Sequence, residues 1–268
     1  MSYELGAVRP ERLWPLIAAL ALTACVSGSG APTVTPTNTA LPATATVPAT
    51  ATPTPVPAGA SITIAAVGDI SLAREVVTRM EANGADYPYA LVRDLLASAD
   101  ITIANLEGAL TERGEPWPKG YSFRTPPRFA SGLRDAGIDL VSLANNHAMD
   151  YGAIGLEDTL DALDGAGVVR AGAGRSAIEA AAPVYIVADG MRVAFIGCVA
   201  TLDEGGGFSI RQWVAAAASP GLSVCDEAAL RAWIAEARRQ SDFVIVIVHA
   251  GAEYVTAPDA TQQRIAQA

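Results

Sequence analysis

Both histidines of the chain sit in short polar motifs that also carry carboxylates. His147 stands in Asn145-Asn146-His147-Ala148-Met149-Asp150-Tyr151-Gly152, and His249 in His249-Ala250-Gly251-Ala252-Glu253-Tyr254. Two earlier motifs have the same character, Gly68-Asp69-Ile70-Ser71 and Asn105-Leu106-Glu107-Gly108. Asp69, Asn105, Glu107, Asn146, His147, Asp150, His249 and Glu253 are thus candidates for metal binding or acid/base work. Carboxylate, amide oxygen and imidazole together suit Mn, Fe or Zn better than a structural zinc site, which would draw on cysteine. A carboxylate such as Glu107 can bridge two ions, and two ions about 4 Å apart can activate a water and clamp a phosphoryl oxygen. Simpler roles stand beside these. Asp69 could only cap the helix that follows it, Asn105 and Asn146 could satisfy loop backbone groups, and Glu253 could be a solvated surface carboxylate.

The motifs share a position, since each follows an apolar, β-rich run. Strands are expected to end at Gly68, Ala104, Leu143 and Val248, to lie side by side in one sheet, and to point their C-terminal ends to one edge. Open α/β sheets place their sites there. Helical spacing follows from Ser71 to about Asn83, Tyr89 to Ser98, Pro126 to Ala136, Gly152 to Leu163 and Glu227 to Gln240. Val184–Ala188 and Arg192–Ile196 read as a hairpin turning at Asp189-Gly190. The order is largely βαβα, so the fold class is α/β with a buried, mixed sheet flanked by helices. Between the second and third strands, Gly108 to Thr125 is a loop holding Trp117, Tyr121, Arg124 and the chain's single lysine, Lys119. Trp117 and Tyr121 either rim a substrate groove or cover a sheet edge; Arg124 is the nearby cation for an anionic substrate.

Before this folded part comes an address. Residues 1–25 read as a lipoprotein signal peptide: Arg9 and Arg12 form a basic start, and the apolar run Leu13–Ala24 is too short to span a bilayer as a helix. The run ends in Leu22-Thr23-Ala24-Cys25, a lipobox-like tetrapeptide that makes Cys25 the expected acylation site; an ordinary signal peptide with a chance cysteine is the alternative. Residues 26–60 read as a disordered linker. Ala31 to Ala60 holds seven Pro, nine Thr and no charged residue, so it has little to bury against its ordering entropy. The partition is therefore 1–25 signal, 26–60 linker and 61–268 folded domain. The net charge of −10 repels phosphate backbones and argues against nucleic acid as a partner. Cys198 and Cys225 could pair in an oxidising exterior, or Cys198 could be a buried free thiol.

The motifs GDIS, ANLEG, SLANNHAMDYG and HAGAEY, in this order and spacing, resemble the CapA/PgsA family of capsule and poly-γ-glutamate synthesis proteins. That domain belongs to the calcineurin-like metallophosphoesterase superfamily. The resemblance runs from about Ile62 to Ala268, and the NNHxxDxG element is its most specific part. It implies a layered metallophosphoesterase-like fold and a site holding two divalent ions, with Asp69, Glu107, Asn146 and His249 as ligands. It implies that His147 protonates the leaving group, and it places Asn105, Asp150 and Glu253 in substrate binding or support, where Arg124 joins them as the nearby cation. Ser71 stands where many phosphoesterases carry a further histidine, and Ala250 where many relatives carry Trp. A later Gly-His-His-Pro-His-like motif of the family is absent before Ala268, so a C-terminally truncated domain with weak activity is expected. The implied setting is extracytoplasmic, at the membrane through Cys25, with an anionic polymer or phosphoester as substrate and a membrane polymer synthase as partner. A non-catalytic accessory lipoprotein that guides polymer is the alternative, and a solute-binding lipoprotein is a third possibility.

Overall fold

The computed structural model describes residues 61–203 and 208–268. The signal peptide, Cys25 and the Pro/Thr-rich linker lie outside the described residues. In chain order the strands are β1 (Ile64–Ile70), β2 (Ile101–Leu106), β3 (Ala109–Leu110), β4 (Arg124–Thr125), β5 (Leu140–Ser142), β6 (Val169–Ala171), β7 (Ala173–Gly174), β8 (Val184–Ala188), β9 (Met191–Val199), β10 (Gly221–Leu222) and β11 (Phe243–His249). The helices are α1 (Glu75–Asn83), α2 (Arg93–Leu96), α3 (Ala130–Asp135), α4 (Gly152–Ala166), α5 (Ala177–Ala181), α6 (Glu227–Arg238) and α7 (Ala260–Ala266).

Alternation along the strands builds the layers. In β2, Ile101 and Ile103 face one way, into a cluster with Leu140 of β5 and with Val193 and Phe195 of β9. Ala104 and Leu106 of the same strand face the other way, against Leu133 of α3 and Leu156, Leu160 and Leu163 of α4. Strand β9 repeats the logic, turning Ala194 and Ile196 towards Leu230, Trp233 and Ile234 of α6. Period-2 side-chain placement lets each strand serve two cores. The outcome is four layers: helices, a sheet, a second sheet, helices. Each fully buried Leu, Ile or Phe contributes about 1.5–3 kcal/mol relative to exposure, and these positions are the interior of both sheets.

The first sheet is parallel, in the order β1-β2-β5-β6, and the second is mixed, in the order β11-β9-β8. This corrects the single sheet expected from sequence. Strand β11 does not join β1, β2 and β5; it pairs in parallel with β9 from Phe243↔Val193 to His249↔Val199. The reason is connectivity. β9, α6 and β11 form one βαβ unit, and successive strands of such a unit tend to be neighbours. A continuous apolar run identifies a buried strand but not the sheet that receives it. The expected convergence of strand ends nevertheless holds, because Asp69, Asn105, Ser142 and His249 line one cleft of about 380 Å³ between the sheets.

Two local features hold the sheets in place. Gly172 has φ of +84°, and a Cβ at Gly197 would lie 3.0 Å from the backbone of Ala171 and Gly172. Bare backbone at this pair allows the sheets to approach closely. Cys198 at the end of β9 and Cys225 just before α6 form a disulfide, which settles the two readings in favour of pairing. The β8–β9 hairpin turns at Asp189 and Gly190, with φ of 46° and 78°, as a tight turn with positive φ at both central residues requires. The helix expected over Tyr89 to Ser98 shrinks to a 3-10 turn at Tyr87–Tyr89 and the four-residue α2.

Candidate metal and acid/base site

Asp69 reaches the cleft through an irregularity. The pairing of β1 with β2 shifts register between Ala66 and Asp69, so that Asp69 lies opposite Asn105. Bulges of this kind re-aim side chains beside sites. From there a chain of amide contacts ties three strand ends together. Asn105 Nδ2 donates to Asp69 Oδ1 at 2.8 Å, and Asn145 Nδ2 donates to Asn105 Oδ1 at 3.0 Å. Asn145 Nδ2 also meets the Leu106 carbonyl at 2.8 Å, and Asn145 Oδ1 accepts from the His147 backbone N–H at 2.9 Å. Asn145 is completely buried, so it is the bracket of the site; only its place in the Asn-Asn doublet signalled that in the sequence.

His147 is held from three sides. Its Nδ1 lies 2.7 Å from Asp150 Oδ2, its Nε2 lies 3.8 Å from Glu107 Oε1, and its ring stacks on Phe123 at 4.0 Å between centroids. Asp150 is fully buried and accepts from the Phe123 backbone N–H at 2.6 Å. The counter-charge is Lys119, whose Nζ stands 3.1 Å from Asp150 Oδ1 with only 2% of its side chain exposed. Lys119 also donates to the Asn146 carbonyl, and its ammonium lies over the rings of Phe208 and Trp213 at 4.9 and 5.2 Å. Trp117 meets both rings edge-on, so this tryptophan walls in the lysine. The sequence assigns Lys119 no role; its one signal there is a lone lysine in an aromatic-rich loop.

Burial, then the negative charge of Asp69 and a hydrogen bond with it, push the Glu107 carboxyl up to about 7, while Lys119 pulls it down. Two carboxylates sharing a small volume disfavour each other's ionisation unless a proton or cation lies between them. Asn146 Oδ1, next in sequence to His147, is buried without a hydrogen-bond partner, which leaves an acceptor open. Oxygen donors of this kind are those that hard divalent cations prefer. Nitrogen ligation is less developed: His249 lines the cleft with Asp69, but among the described residues no group of three or more His, Cys, Asp or Glu gathers at metal-holding distance.

The remaining sequence candidates fall outside this cluster. Arg124 donates from Nη2 to the carbonyls of Arg113 and Gly114 at 3.1 and 2.6 Å, and its guanidinium lies 3.6 Å from the centre of the Tyr151 ring. Its visible work is to pin the loop. Glu253 is exposed in the turn after β11. Tyr121 is 68% exposed, with Arg74 over its ring at 5.0 Å.

Comparison with known proteins places these features in a family context. Residues 63–268 match the family model described as "Bacterial capsule synthesis protein PGA_cap". The chain is 30% identical over 210 residues to the PGA biosynthesis protein CapA of Bacillus subtilis, covering 77% of this chain and 53% of that protein. It is 28% identical over 215 residues to the capsule biosynthesis protein CapA of Bacillus anthracis, covering 77% and 51%. A probable polyglutamine synthesis accessory protein of Mycobacterium tuberculosis is 32% identical over 171 residues, covering 60% and 44%. The chain therefore spans about half the length of the curated relatives it matches.

Proposed function

The chain belongs to the bacterial capsule synthesis protein PGA_cap family, and from that premise we propose that it is an extracytoplasmic lipoprotein of capsule or poly-γ-glutamate biosynthesis with a metallophosphoesterase-like hydrolytic site. The observation that carries the reading is the meeting of Asp69, Asn105 and Glu107 with Asn145, His147 and Asp150 at the ends of β1, β2 and β5. The four-layer order supports it, as does His249 lining the same cleft from the second sheet.

In this reading Asp69, Glu107, Asn146 and His249 would hold divalent metal, one or two ions of Mn, Fe or Zn. A bound ion supplies Lewis-acid polarisation of the scissile group. The chain's own residues do the rest. Asp150 accepts from His147 Nδ1 and fixes the ring's orientation, which leaves Nε2 on the Glu107 side as the atom that delivers a proton to the leaving oxygen or nitrogen. Lys119 pairs with the buried Asp150 carboxylate and holds it in place, and Phe123 holds the imidazole plane. The substrate would be a phosphoester or an amide-linked anionic polymer, and Cys25 would carry the lipid that keeps the domain at the membrane beside a polymer synthase.

A second reading is a polymer-guiding accessory protein without turnover. It is favoured by Ser71 in place of a histidine and by the accessory role named for the mycobacterial relative. One experiment separates them. Hydrolysis of bis-p-nitrophenyl phosphate and of γ-linked glutamyl oligomers is followed with Mn²⁺ present, for the chain and for His147→Ala. Turnover reduced by about 100-fold or more in the variant supports the enzyme; binding of oligomer without turnover in either protein supports the accessory role.

A further inference from the structure

The cleft needs a cation to receive an anionic substrate, and the nearby ones named so far are committed elsewhere. Lys119 is buried against Asp150, and Arg124 is bonded to loop carbonyls. Arg74 differs. It lies five positions beyond Asp69 on the segment joining β1 to α1, and its side chain is exposed. Its guanidinium carbon stands 5.0 Å from the centre of the Tyr121 ring and 4.9 Å from that of Phe123. Phe123 in turn stacks on His147 at 4.0 Å. The adjacent Glu75 pairs with Arg79 at 2.9 Å instead, and among the described residues no carboxylate pairs with Arg74.

The backbone points the same way. Arg74 has φ of 57° and ψ of −128°, in a region that residues with a Cβ rarely adopt. Such strain persists where surrounding structure over-determines it, and it gathers at ligand sites. A glycine would relieve it, yet the position holds an arginine whose cation stands 5.0 and 4.9 Å from the centres of two aromatic rings and whose N–H groups can still grip an anion.

Resting on the hydrolytic or polymer-binding site proposed above, we propose that Arg74, on its Tyr121/Phe123 platform, is the anion-binding subsite that docks a substrate carboxylate or phosphate beside His147. The shared chemistry is a planar or tetrahedral oxyanion gripped by a guanidinium fork. A carboxylate would come from the α-carboxylates that γ-linkage leaves free along a glutamyl polymer, and a phosphate from a phosphoester.

The test is titration of the full chain with inorganic phosphate and, separately, with γ-glutamyl-glutamate, followed by NMR shifts of the Tyr121 and Phe123 rings. Arg74→Gln and Arg74→Gly are expected to weaken binding of at least one probe about tenfold or more. Thermal unfolding of Arg74→Gly is expected to match or exceed the parent, because the backbone strain is relieved. Whichever probe loses affinity identifies the anion class, and an amide-capped dipeptide should be insensitive to Arg74. Wild-type binding of neither probe, or equal binding by parent and variants, overturns the inference. Mn²⁺ binding measured on the same variants should be unchanged. If Mn²⁺ binds and depends on Asp69 while both anions ignore Arg74, the subsite fails and the metal-site reading stands. If Arg74 governs anion binding and no Mn²⁺ binds, the subsite stands and the metal-site reading fails.

Discussion

Lys119 and Asp150 form the most consequential pair of residues in the domain. A buried ion pair adds little net stability, but removing one partner leaves a charge stranded in a low-dielectric interior. Lys119→Met should therefore destabilise the fold by about 3–5 kcal/mol in denaturant unfolding. Adding Asp150→Asn to it should restore a good part of the loss, and full additivity of the two changes would contradict the pairing. Glu107 makes a second statement at this scale. Burial and Asp69 push its carboxyl up to about 7, so between about pH 4.5 and 7 the metal-free native state favours a proton that the unfolded chain has released. Stability from this group is complete below about pH 4.5 and falls as pH rises towards 7. Unfolding in chelator across that window should show the decline, and Glu107→Gln should flatten it.

Among the elements, the approach of the two sheets is controlled by Gly172 and Gly197. Gly197→Ala should cost about 1–3 kcal/mol, because its new Cβ meets backbone at 3.0 Å and backbone cannot swing aside. Replacing Cys198 and Cys225 together by Ser should cost about 2–4 kcal/mol, since the bond closes a segment with a sequence separation of 27 between β9 and α6. Much at this scale was legible beforehand. The β8–β9 hairpin and its Asp189-Gly190 turn were readable because the turn chemistry is local. Strands β1, β2, β5 and β11 were readable from apolar runs, and the polar residues at their ends marked one edge. What could not be read was partnership: whether β11 joins the first sheet or the second depends on long-range packing through α6. Site residues held by long-range bonds were hidden for the same reason. Asn145, Lys119 and Arg74 declare themselves only when Asn105, Asp150 and Phe123 are brought beside them, whereas His147 and Asp150 share a motif and a helical spacing.

At the scale of the whole molecule, the expected order is a lipid anchor at Cys25, a charge-poor linker and a domain whose cleft lies between two sheets. Cys25→Ser should move the protein from the membrane to the soluble fraction or stall its maturation, and a mature N-terminus at another residue would contradict the anchor. The central proposal is that Asp69, Glu107, Asn146 and His249 hold divalent metal. The most direct test is titration of the chelated protein with Mn²⁺, read by electron paramagnetic resonance, for the parent, Asp69→Ala and His249→Ala. The account predicts saturable binding by the parent that weakens about tenfold or more in both variants. No saturable binding by the parent, or binding that neither substitution alters, would contradict it.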